Sequence, residues 1–324
     1  MNAMKVAFVG AGPRAVSQAE ALMSAGLGDV VGVWNRSPER AHTLANSLPY
    51  ASAHATVTEM VEATRPDVVS IVTHPAYRIR ALRDAIDAGA RTILLEKPIA
   101  LTPQELAEVR AMGEECLIVV NTQYPWMTHW REIRRLVAEG ALGEIRSIRA
   151  STGVDLFEQG PHLLSLALST ARAAGLPDPS WILAAGDGEA SFGDLTVPAH
   201  TTAVADLGAA RLQLLTGDVS PRVPGETNIF YQQQVEVTGS EGRVWVSLNQ
   251  GWELWTSAGV RRGVSAWPRD DIQSQADLFR DLRSVVIDGG SPDAIPTRMS
   301  VAGADAALLF AWRESIDTGR MVML

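Results

Sequence analysis

A lysine at the end of an apolar stretch is well suited to stabilising charge that develops on a ligand. Lys97 follows four residues typical of a buried strand in TILLEKPIA, residues 92–100. Ligands of an open α/β sheet bind at the carboxyl ends of its strands, so an ammonium group here can reach a bound molecule. Pro98 biases Lys97 toward an extended backbone and helps to aim it. The alternative is a lysine that only extends from the strand end into solvent.

A glycine-rich turn, VGAGPRA, predicts a dinucleotide site after the first strand. Gly10 permits a tight turn, Gly12 lets the backbone approach a pyrophosphate, and Ala15 allows a helix to pack closely on the strand. The helix N-terminus supplies N–H groups and positive potential. Pro13 lacks an N–H group to donate, and Arg14 is placed to contact phosphate or adenine.

The end of the second predicted strand distinguishes between the two nicotinamide cofactors. NAD sites usually carry a carboxylate there, whereas this chain reads WNRS with Asn35 at that place. Arg36, Ser37 and Arg40 can surround a phosphate dianion. The pattern favours NADP(H), while NAD(H) stays possible. In the alternative, the two arginines form only a solvated helix face.

A histidine near the middle of the chain stands in a local sequence that would suit a general base, and the alternative is a structural histidine, the commoner role of an isolated one. His162 follows Pro161, and proline prefers the first turn of a helix. We therefore expect His162 near a helix N-terminus, where the dipole disfavours the imidazolium ion. A neutral imidazole can accept a proton.

The elements that must position these groups begin with repeated β-α units over residues 1–121. Near-continuous apolar strands separated by helices predict a Rossmann domain with a doubly wound parallel sheet. Ser37 and Thr102, each followed by proline, are predicted helix caps. The predicted strands are 5–10, 29–34, 67–73, 91–96 and 116–121, and the predicted helices are 37–47, 78–89 and 103–112.

Residues 122–324 have a different pattern and predict an α+β domain with a largely antiparallel, open sheet. TGSEGR, residues 238–243, places two glycines between alternating strands and predicts a hairpin. The predicted strands include 200–207, 210–217, 232–240 and 243–248, and the predicted helices are 128–139, 274–288 and 298–318.

Composition limits the class of protein and its partners. A length of 324 residues with 46% apolar and 20% charged residues is typical of a globular chain of two domains. A net charge of −9 disfavours a nucleic-acid partner. The sequence has no signal peptide and no stretch apolar enough for a membrane span, so we expect a cytoplasmic protein. The only cysteine, Cys116, lies in CLIVV and is interpreted as a buried hydrophobic residue. The histidines and this cysteine show no ligand spacing, so we expect no metal.

Five segments together resemble the Gfo/Idh/MocA oxidoreductases in order and spacing: VAFVGAGPRA, the EKP at 96–98, EGALGEIRSIRA, EQGPHLLSLA and VEVTGSEGRVWV. The chain is similar to that family over nearly its whole length. The resemblance implies a Rossmann domain followed by a substrate domain that commonly mediates oligomerisation. It also implies oxidation or reduction of a sugar, cyclitol or related hydroxyl compound.

The resemblance also implies roles for individual residues. Lys97 and His162 match the catalytic lysine and histidine of the family. Glu158 stands where the family usually has aspartate, and Ser165 where a second aspartate often follows the histidine. We therefore expect Glu158 to orient His162.

Other matched positions extend the cofactor site. The segment THPAYR, residues 73–78, resembles a loop that lies along the cofactor, with Arg78 where a histidine is usual. Gln123 would approach the nicotinamide and Tyr124 the substrate. The cofactor contacts expected from this resemblance are Thr73, His74, Glu96 and Gln123.

These assignments predict an NAD(P)-dependent dehydrogenase or reductase acting on CH–OH groups. His162 would take the hydroxyl proton while Lys97 hydrogen-bonds the substrate oxygen. Trp126 and Asp155 are candidates for a sugar face and its hydroxyls, or are structural. We expect a homodimer or homotetramer formed through the C-terminal sheet. The alternatives are a cofactor-binding sensor that has lost the chemistry, and a biosynthetic ketosugar or imine reductase.

Overall fold

The computed structural model describes residues 3–265, 267 and 269–324, and this part of the chain forms two compact units. The first unit contains the chain up to Gln123 together with Ile272–Ala304. The second contains Tyr124–Asp271 and Asp305–Leu324. Residues 272–304 are predicted to lie in the second domain, whereas in the structure they belong to the first unit.

A parallel sheet forms the centre of the first unit, in the order β3-β2-β1-β4-β5-β6. This order reverses at β1, so right-handed crossovers on its two sides cover opposite faces of the sheet. The predicted doubly wound sheet is confirmed. The strands are β1 (Met4–Val9), β2 (Gly28–Trp34), β3 (Ser52–Ala53), β4 (Val68–Ile71), β5 (Thr92–Glu96) and β6 (Leu117–Asn121).

Four helices of this sheet begin close to the predicted positions: α1 (Pro13–Ser24), α2 (Pro38–Asn46), α4 (Arg78–Asp87) and α5 (Pro103–Met112). A further helix, α3 (Val57–Thr64), is not predicted from the sequence. Thr102 caps α5 as predicted, because its hydroxyl accepts the Glu105 N–H at 3.1 Å. Ser37 precedes α2 but makes no side-chain cap, so that part of the prediction is wrong.

Segment 272–304 completes the first unit by covering its edge strand. The Val120 N–H of β6 donates to the Thr297 carbonyl at 2.9 Å, and Val119 forms an antiparallel bridge with Arg298. Arg110 of α5 donates to the Gly303 carbonyl at 2.7 Å. These bonds satisfy backbone groups that an edge strand would otherwise expose.

The second unit is built on a mostly antiparallel sheet in the order β16-β15-β14-β13-β7-β12-β11-β8-β17. Among the described strands, β7 and β12 pair in parallel and the other neighbours pair antiparallel. Its strands are β7 (Ile145–Thr152), β8 (Trp181–Asp187), β11 (His200–Leu207), β12 (Ala210–Thr216), β13 (Gln233–Gly239), β14 (Gly242–Ser247), β15 (Gly251–Thr256), β16 (Gly259–Gly263) and β17 (Val322–Met323). Strands β9 (Ala190–Phe192) and β10 (Leu195–Val197) form a separate two-stranded sheet. The predicted α+β class and the hairpin at 238–243 are confirmed.

Helices pack on the sheet of the second unit and bury its core. Helices α6 (Thr128–Ala138) and α7 (Leu156–Ala173) belong to the second unit, whereas α8 (Arg269–Val286) lies mostly in the first unit and α9 (Met299–Thr318) begins in the first unit and continues into the second. Helix α7 packs against β7, β12 and β13, and α6 packs against α7 and β14. Within the described residues, no helix is both long and apolar enough to cross a membrane.

Candidate active site

The two glycines of the turn after β1 have different surroundings. Gly10 has a φ of +123°, and a Cβ added there would lie 2.7 Å from the Val72 carbonyl oxygen. Gly12 is extended, and a Cβ added there would meet no atom within 4 Å. Gly10 is therefore fixed by the protein backbone, whereas Gly12 borders open space that a ligand can occupy.

Helix α1 begins directly at this turn and leaves its N-terminus without a side-chain cap. The Ala11 N–H donates to Asn35 Oδ1 at 3.2 Å, and the Asn35 amide donates to the Ser37 carbonyl at 3.0 Å. Asn35 thus ties the glycine turn to the end of β2. A helix N-terminus carries partial positive charge and N–H groups that suit a phosphate.

The loops after β1, β2 and β4 enclose a cleft of about 840 Å³ at the carboxyl edge of the sheet. Eight predicted cofactor residues line this cleft: Gly10, Gly12, Asn35, Arg36, Ser37, Arg40, Thr73 and His74. The other predicted contacts are not among its lining residues: Pro13, Arg14, Ala15, Glu96 and Gln123.

Two features of this cleft fit a dinucleotide. The space beside Gly12 is where a pyrophosphate must approach the backbone. The Thr73 hydroxyl oxygen, at the loop after β4, is buried and has no hydrogen-bond partner among the described residues. A bound ligand can supply the missing partner, since buried polar groups are normally satisfied.

The end of the cleft near β2 collects arginine side chains. The Arg36 guanidinium lies 4.7 Å from the centre of the Tyr77 ring, a cation–π contact. Arg40 and Arg80 also line the cleft, and Arg80 Nε lies 3.8 Å from Asp84 Oδ2. Among the residues that line the cleft, positive charge therefore exceeds negative charge.

Glu96, which ends β5, accepts hydrogen bonds from within the protein. Its Oε1 accepts from Gln18 Nε2 at 2.8 Å, from Asn121 Nδ2, and from Arg14 Nε at 3.4 Å. Ser70 extends the network by donating to Gln18 Oε1 at 2.6 Å. We call Arg14, Gln18, Glu96 and Asn121 the Glu96 cluster. In this structure Glu96 and Arg14 are engaged with each other, although a cofactor contact is predicted for each.

Arg78 joins the loop after β4 to the turn that carries Lys97. Its Nη2 donates to the Thr73 carbonyl at 2.8 Å, and its Nη1 donates to the Pro98 carbonyl. The side chain is 2% exposed. Burial lowers the pKa of Arg78 to about 10, and the charges of Glu96 and Glu105 oppose this shift. Lys97 itself is half-buried.

Helix α7 begins earlier than the sequence predicts, so the expected place of His162 is wrong. Asp155 caps the helix, because its Oδ1 accepts the N–H groups of Phe157 and Glu158 at 2.9 Å each. Pro161 consequently lies inside the helix. His162 is in the second turn, beyond the first turn to which the dipole effect is largely confined. The Asp155 carboxylate serves as a cap, which supports its structural alternative.

The His162 imidazole is held by ring stacking. It lies 4.1 Å from the Tyr124 ring with an interplanar angle of 16°. Trp267 contacts the same tyrosine edge-on at 5.8 Å, and Gln233 Nε2 donates to the Tyr124 hydroxyl at 3.3 Å. His162 is 5% exposed. Tyr124 and His162, both predicted from the sequence, are therefore neighbours in the second unit.

The remaining predicted residues fall on both units. Lys97 belongs to the first unit, and Glu158 and Trp126 belong to the second. Trp126 is buried at 2% exposure, and Glu158 lies in the first turn of α7. Their catalytic and substrate roles remain predictions. Among the described residues, no group of three or more His, Cys, Asp or Glu side chains could hold a metal ion.

Several residues near the candidate site were not predicted from the sequence. Gln18 and Asn121 hold Glu96, Arg80 lines the cleft, and Trp267 packs on Tyr124. A usable signal existed for Gln18 alone: it is a polar residue on the buried stripe of α1, beside Ala15, Ala19 and Leu22. The others depend on contacts between distant parts of the chain.

Comparison with known families agrees with the fold. Residues 4–138 match the Gfo/Idh/MocA profile, an oxidoreductase family with an NAD-binding Rossmann fold. An uncharacterised oxidoreductase of Rhizobium meliloti, ORF334, is 23% identical over 98% of this chain and 98% of its own length. D-apiose dehydrogenase of Paraburkholderia graminis is 25% identical, over 82% of this chain and 75% of its own.

Solved structures extend the similarity over the whole chain. An Agrobacterium radiobacter oxidoreductase in complex with NAD+, L-tartaric acid and magnesium has a TM-score of 0.81 at 19% identity, covering 99% of this chain and 98% of its own. GenD2 from gentamicin A biosynthesis, in complex with NAD, has 0.80 at 23% identity, with coverages of 100% and 97%. A super-repressor mutant of Gal80p from Saccharomyces cerevisiae has 0.79 at 12% identity, with coverages of 99% and 97%. At these identities the structures establish the fold alone.

Proposed function

Because residues 4–138 carry the NAD-binding Rossmann fold of the Gfo/Idh/MocA oxidoreductases, we propose that this protein is an NAD(P)-dependent dehydrogenase or reductase. Its substrate is a sugar, a cyclitol or a related small molecule with a reactive hydroxyl or keto carbon. The observation that carries the proposal is the glycine-lined cleft, whose Thr73 loop is tied by Arg78 to the turn bearing Lys97. The name of the D-apiose dehydrogenase relative supports a sugar substrate.

The residues of this chain would divide the chemistry between a base and a hydrogen-bond donor. When bound, the nicotinamide would accept or supply the hydride. In the oxidative direction, His162 removes the hydroxyl proton, and Glu158, one helical turn earlier, orients the imidazole. Lys97 donates a hydrogen bond to the substrate oxygen and stabilises the charge that develops there. The stack on Tyr124 restricts rotation of the His162 ring.

NADP(H) is the favoured cofactor. Arg36 and Arg40 follow β2 and line the cleft, Arg80 lines it as well, and the Ser37 hydroxyl makes no cap to α2. These groups suit the dianionic 2′-phosphate, and the carboxylate of Asp84 in the same lining is paired with Arg80. The NAD-bound neighbours keep NAD(H) as the alternative.

Titration of cofactor affinity in the Arg36→Ala variant tests this preference. We expect NADP+ binding to weaken about tenfold or more, with NAD+ binding nearly unchanged. Arg91→Ala is the matched control, because Arg91 is exposed and precedes β5 at the opposite edge of the sheet. Equal loss for both cofactors would refute the 2′-phosphate site.

Turnover separates the enzyme from its main rival. The second candidate is a cofactor-binding regulator without chemistry, and a repressor, Gal80p, shares this fold. The third is a reductase of a biosynthetic pathway, and GenD2, from gentamicin A biosynthesis, shares the fold as well. The assay supplies NADP+ or NAD+ with D-apiose, methyl glucosides and myo-inositol, and the reduced cofactors with keto-sugars. Cofactor binding with no change in nicotinamide absorbance across this panel would favour the regulator.

We also propose a homodimer or homotetramer formed through the sheet of the second unit. Arg149, Glu236 and Trp245 are cross-strand neighbours on β7, β13 and β14 and are half-exposed. Light scattering of the purified protein tests this assembly, and Trp245→Arg should convert it to monomers. A monomeric wild-type protein at micromolar concentration would exclude it.

A further inference from the structure

The geometry points to Arg78 as a positioning residue that holds the Lys97–Pro98 turn against the cofactor loop. This inference rests on the proposed function, since it gives Arg78 the task of presenting Lys97. Arg78 itself touches neither substrate nor cofactor in this scheme.

The two bonds of Arg78 connect the ends of neighbouring strands. Its carbonyl acceptors belong to Thr73, two residues after β4, and to Pro98, two residues after β5. Thr73 lines the cleft. The Arg78 side chain therefore links the backbone next to Lys97 to the loop that lines the cofactor cleft.

Arginine has the chemistry that this connection requires. A guanidinium group is a planar fork that can donate to two acceptors in fixed directions. A lysine in its place would have a point charge on a flexible stem and would reach one carbonyl well. The short distance along the chain from Thr73 to Arg78 leaves little slack, because residues 75–77 form a 3-10 turn and Arg78 begins α4.

Burial argues that Arg78 has a specific task. An arginine with 2% exposure loses much of its hydration, and two neutral carbonyls compensate for this only in part. The negative charge of Glu96, the residue before Lys97, also stabilises the guanidinium. A side chain that merely filled this space could be apolar at lower cost.

Hydrogen exchange in the cofactor-free protein tests the connection itself. In Arg78→Ala, we expect the amides of Ile99 to Leu101 and of Ala76 and Tyr77 to exchange about tenfold faster. Arg78→Lys should give an intermediate rate and covers the case in which the alanine variant fails to fold. Arg83→Ala is the control on the same helix, since Arg83 is half-exposed and pairs with Glu115 at 3.5 Å. Unchanged exchange in both Arg78 variants would overturn the inference, whatever the protein catalyses.

Kinetics tests the consequence for Lys97, using whichever compound of the sugar and cyclitol panel the wild-type protein turns over. Arg78→Ala should lower kcat by about ten- to a hundredfold, as expected when a catalytic group is misplaced by about 1 Å. KM for that compound should change far less. Millimolar methylguanidinium should restore part of kcat, whereas equal sodium chloride should not.

The outcomes separate this inference from the proposed function. Faster exchange with an unchanged kcat would show that the turn is held without consequence for Lys97, which overturns the positioning role. If Arg78→Lys lost no more kcat than the control variant Arg83→Ala, the positioning role would also be overturned. A wild-type protein inactive on the whole panel counts against the proposed function, and the exchange result then decides the connection alone.

Discussion

The two candidate catalytic groups are held by different kinds of contact. Next to Lys97 in the chain, Glu96 belongs to a hydrogen-bonded cluster and the Pro98 carbonyl accepts from Arg78. Beside His162, the second unit places rings, since Tyr124 stacks on the imidazole and Trp267 packs on Tyr124. A hydrogen-bonded cluster fixes directions but depends on every partner, whereas a ring stack fixes a plane and depends on burial.

This difference teaches how the surroundings of each candidate group are vulnerable to substitution. Substitution of one polar partner in the first unit leaves other buried groups unsatisfied, which costs stability as well as geometry. A change in the second unit that preserves ring shape should be tolerated unless it removes the proton acceptor. The predictions below test this contrast from the largest effect to the smallest.

His162→Asn should lower kcat by about a hundred- to ten-thousandfold, because the variant lacks the proposed proton acceptor. Steady-state rates on the active panel compound measure the loss. Tyr124→Phe keeps the ring under the imidazole and loses the hydroxyl, a candidate substrate contact to which Gln233 donates, so it should lose far less activity than His162→Asn. His42→Asn, on an exposed position of α2, is the control. Full activity in His162→Asn would show that His162 is not the general base.

Lys97→Ala should lower turnover about a hundredfold or more while cofactor affinity stays nearly intact. The chain contains one other lysine, Lys5, so Lys5→Ala is a direct control for loss of an ammonium group. Binding of the reduced cofactor by fluorescence, measured beside kcat, separates the two effects. Turnover at the wild-type level in Lys97→Ala would show that Lys97 does not have its proposed role in the reaction.

Acidification should weaken the second unit through a buried imidazole. Burial lowers the pKa of His129 from 6.5 to about 4, opposed by Asp270 at 4.0 Å. The unfolded chain therefore binds the proton more readily, so stability present above pH 6.5 is lost as the pH falls toward 4. The loss is about 3 kcal/mol. Urea unfolding at pH 7 and pH 4.5 should show a smaller difference in His129→Gln than in the wild type. Equal differences would contradict the assignment.

Glu96→Gln should lower the free energy of unfolding by about 1 to 3 kcal/mol. The substitution removes the charge that Arg14 contacts and introduces an amide that needs its own acceptor among Gln18 and Asn121. Glu115→Gln, which loses only an exposed ion pair, should change stability by less than about 1 kcal/mol. Thermal unfolding of the two variants measures the contrast. A Glu96 effect no larger than that of Glu115 would mean that the cluster is not cooperative.

Local signals in the sequence predict the first unit well. Alternation of apolar strands with capped helices gives the doubly wound sheet, and α5 begins and ends at the predicted residues. The glycine turn and the end of β2 mark the cofactor cleft because both depend on residues close together in sequence.

The misses share a physical cause, which is competition between local preference and other contacts. Pro161 prefers a first turn, but the Asp155 cap starts α7 earlier and the helix continues through the proline. Gln18 and Trp267 matter through partners far along the chain, and no periodic pattern encodes those pairings.

The covering of β6 by segment 272–304 has a consequence for synthesis on the ribosome. Strand β6 ends at Asn121, yet the carbonyl that pairs with Val120 belongs to Thr297. More than half of the polypeptide is therefore translated between β6 and Thr297, and during that time β6 lacks this partner along its open margin. Its folding is completed only when the late segment emerges, so the first unit cannot be excised as a contiguous fragment without leaving that margin uncovered.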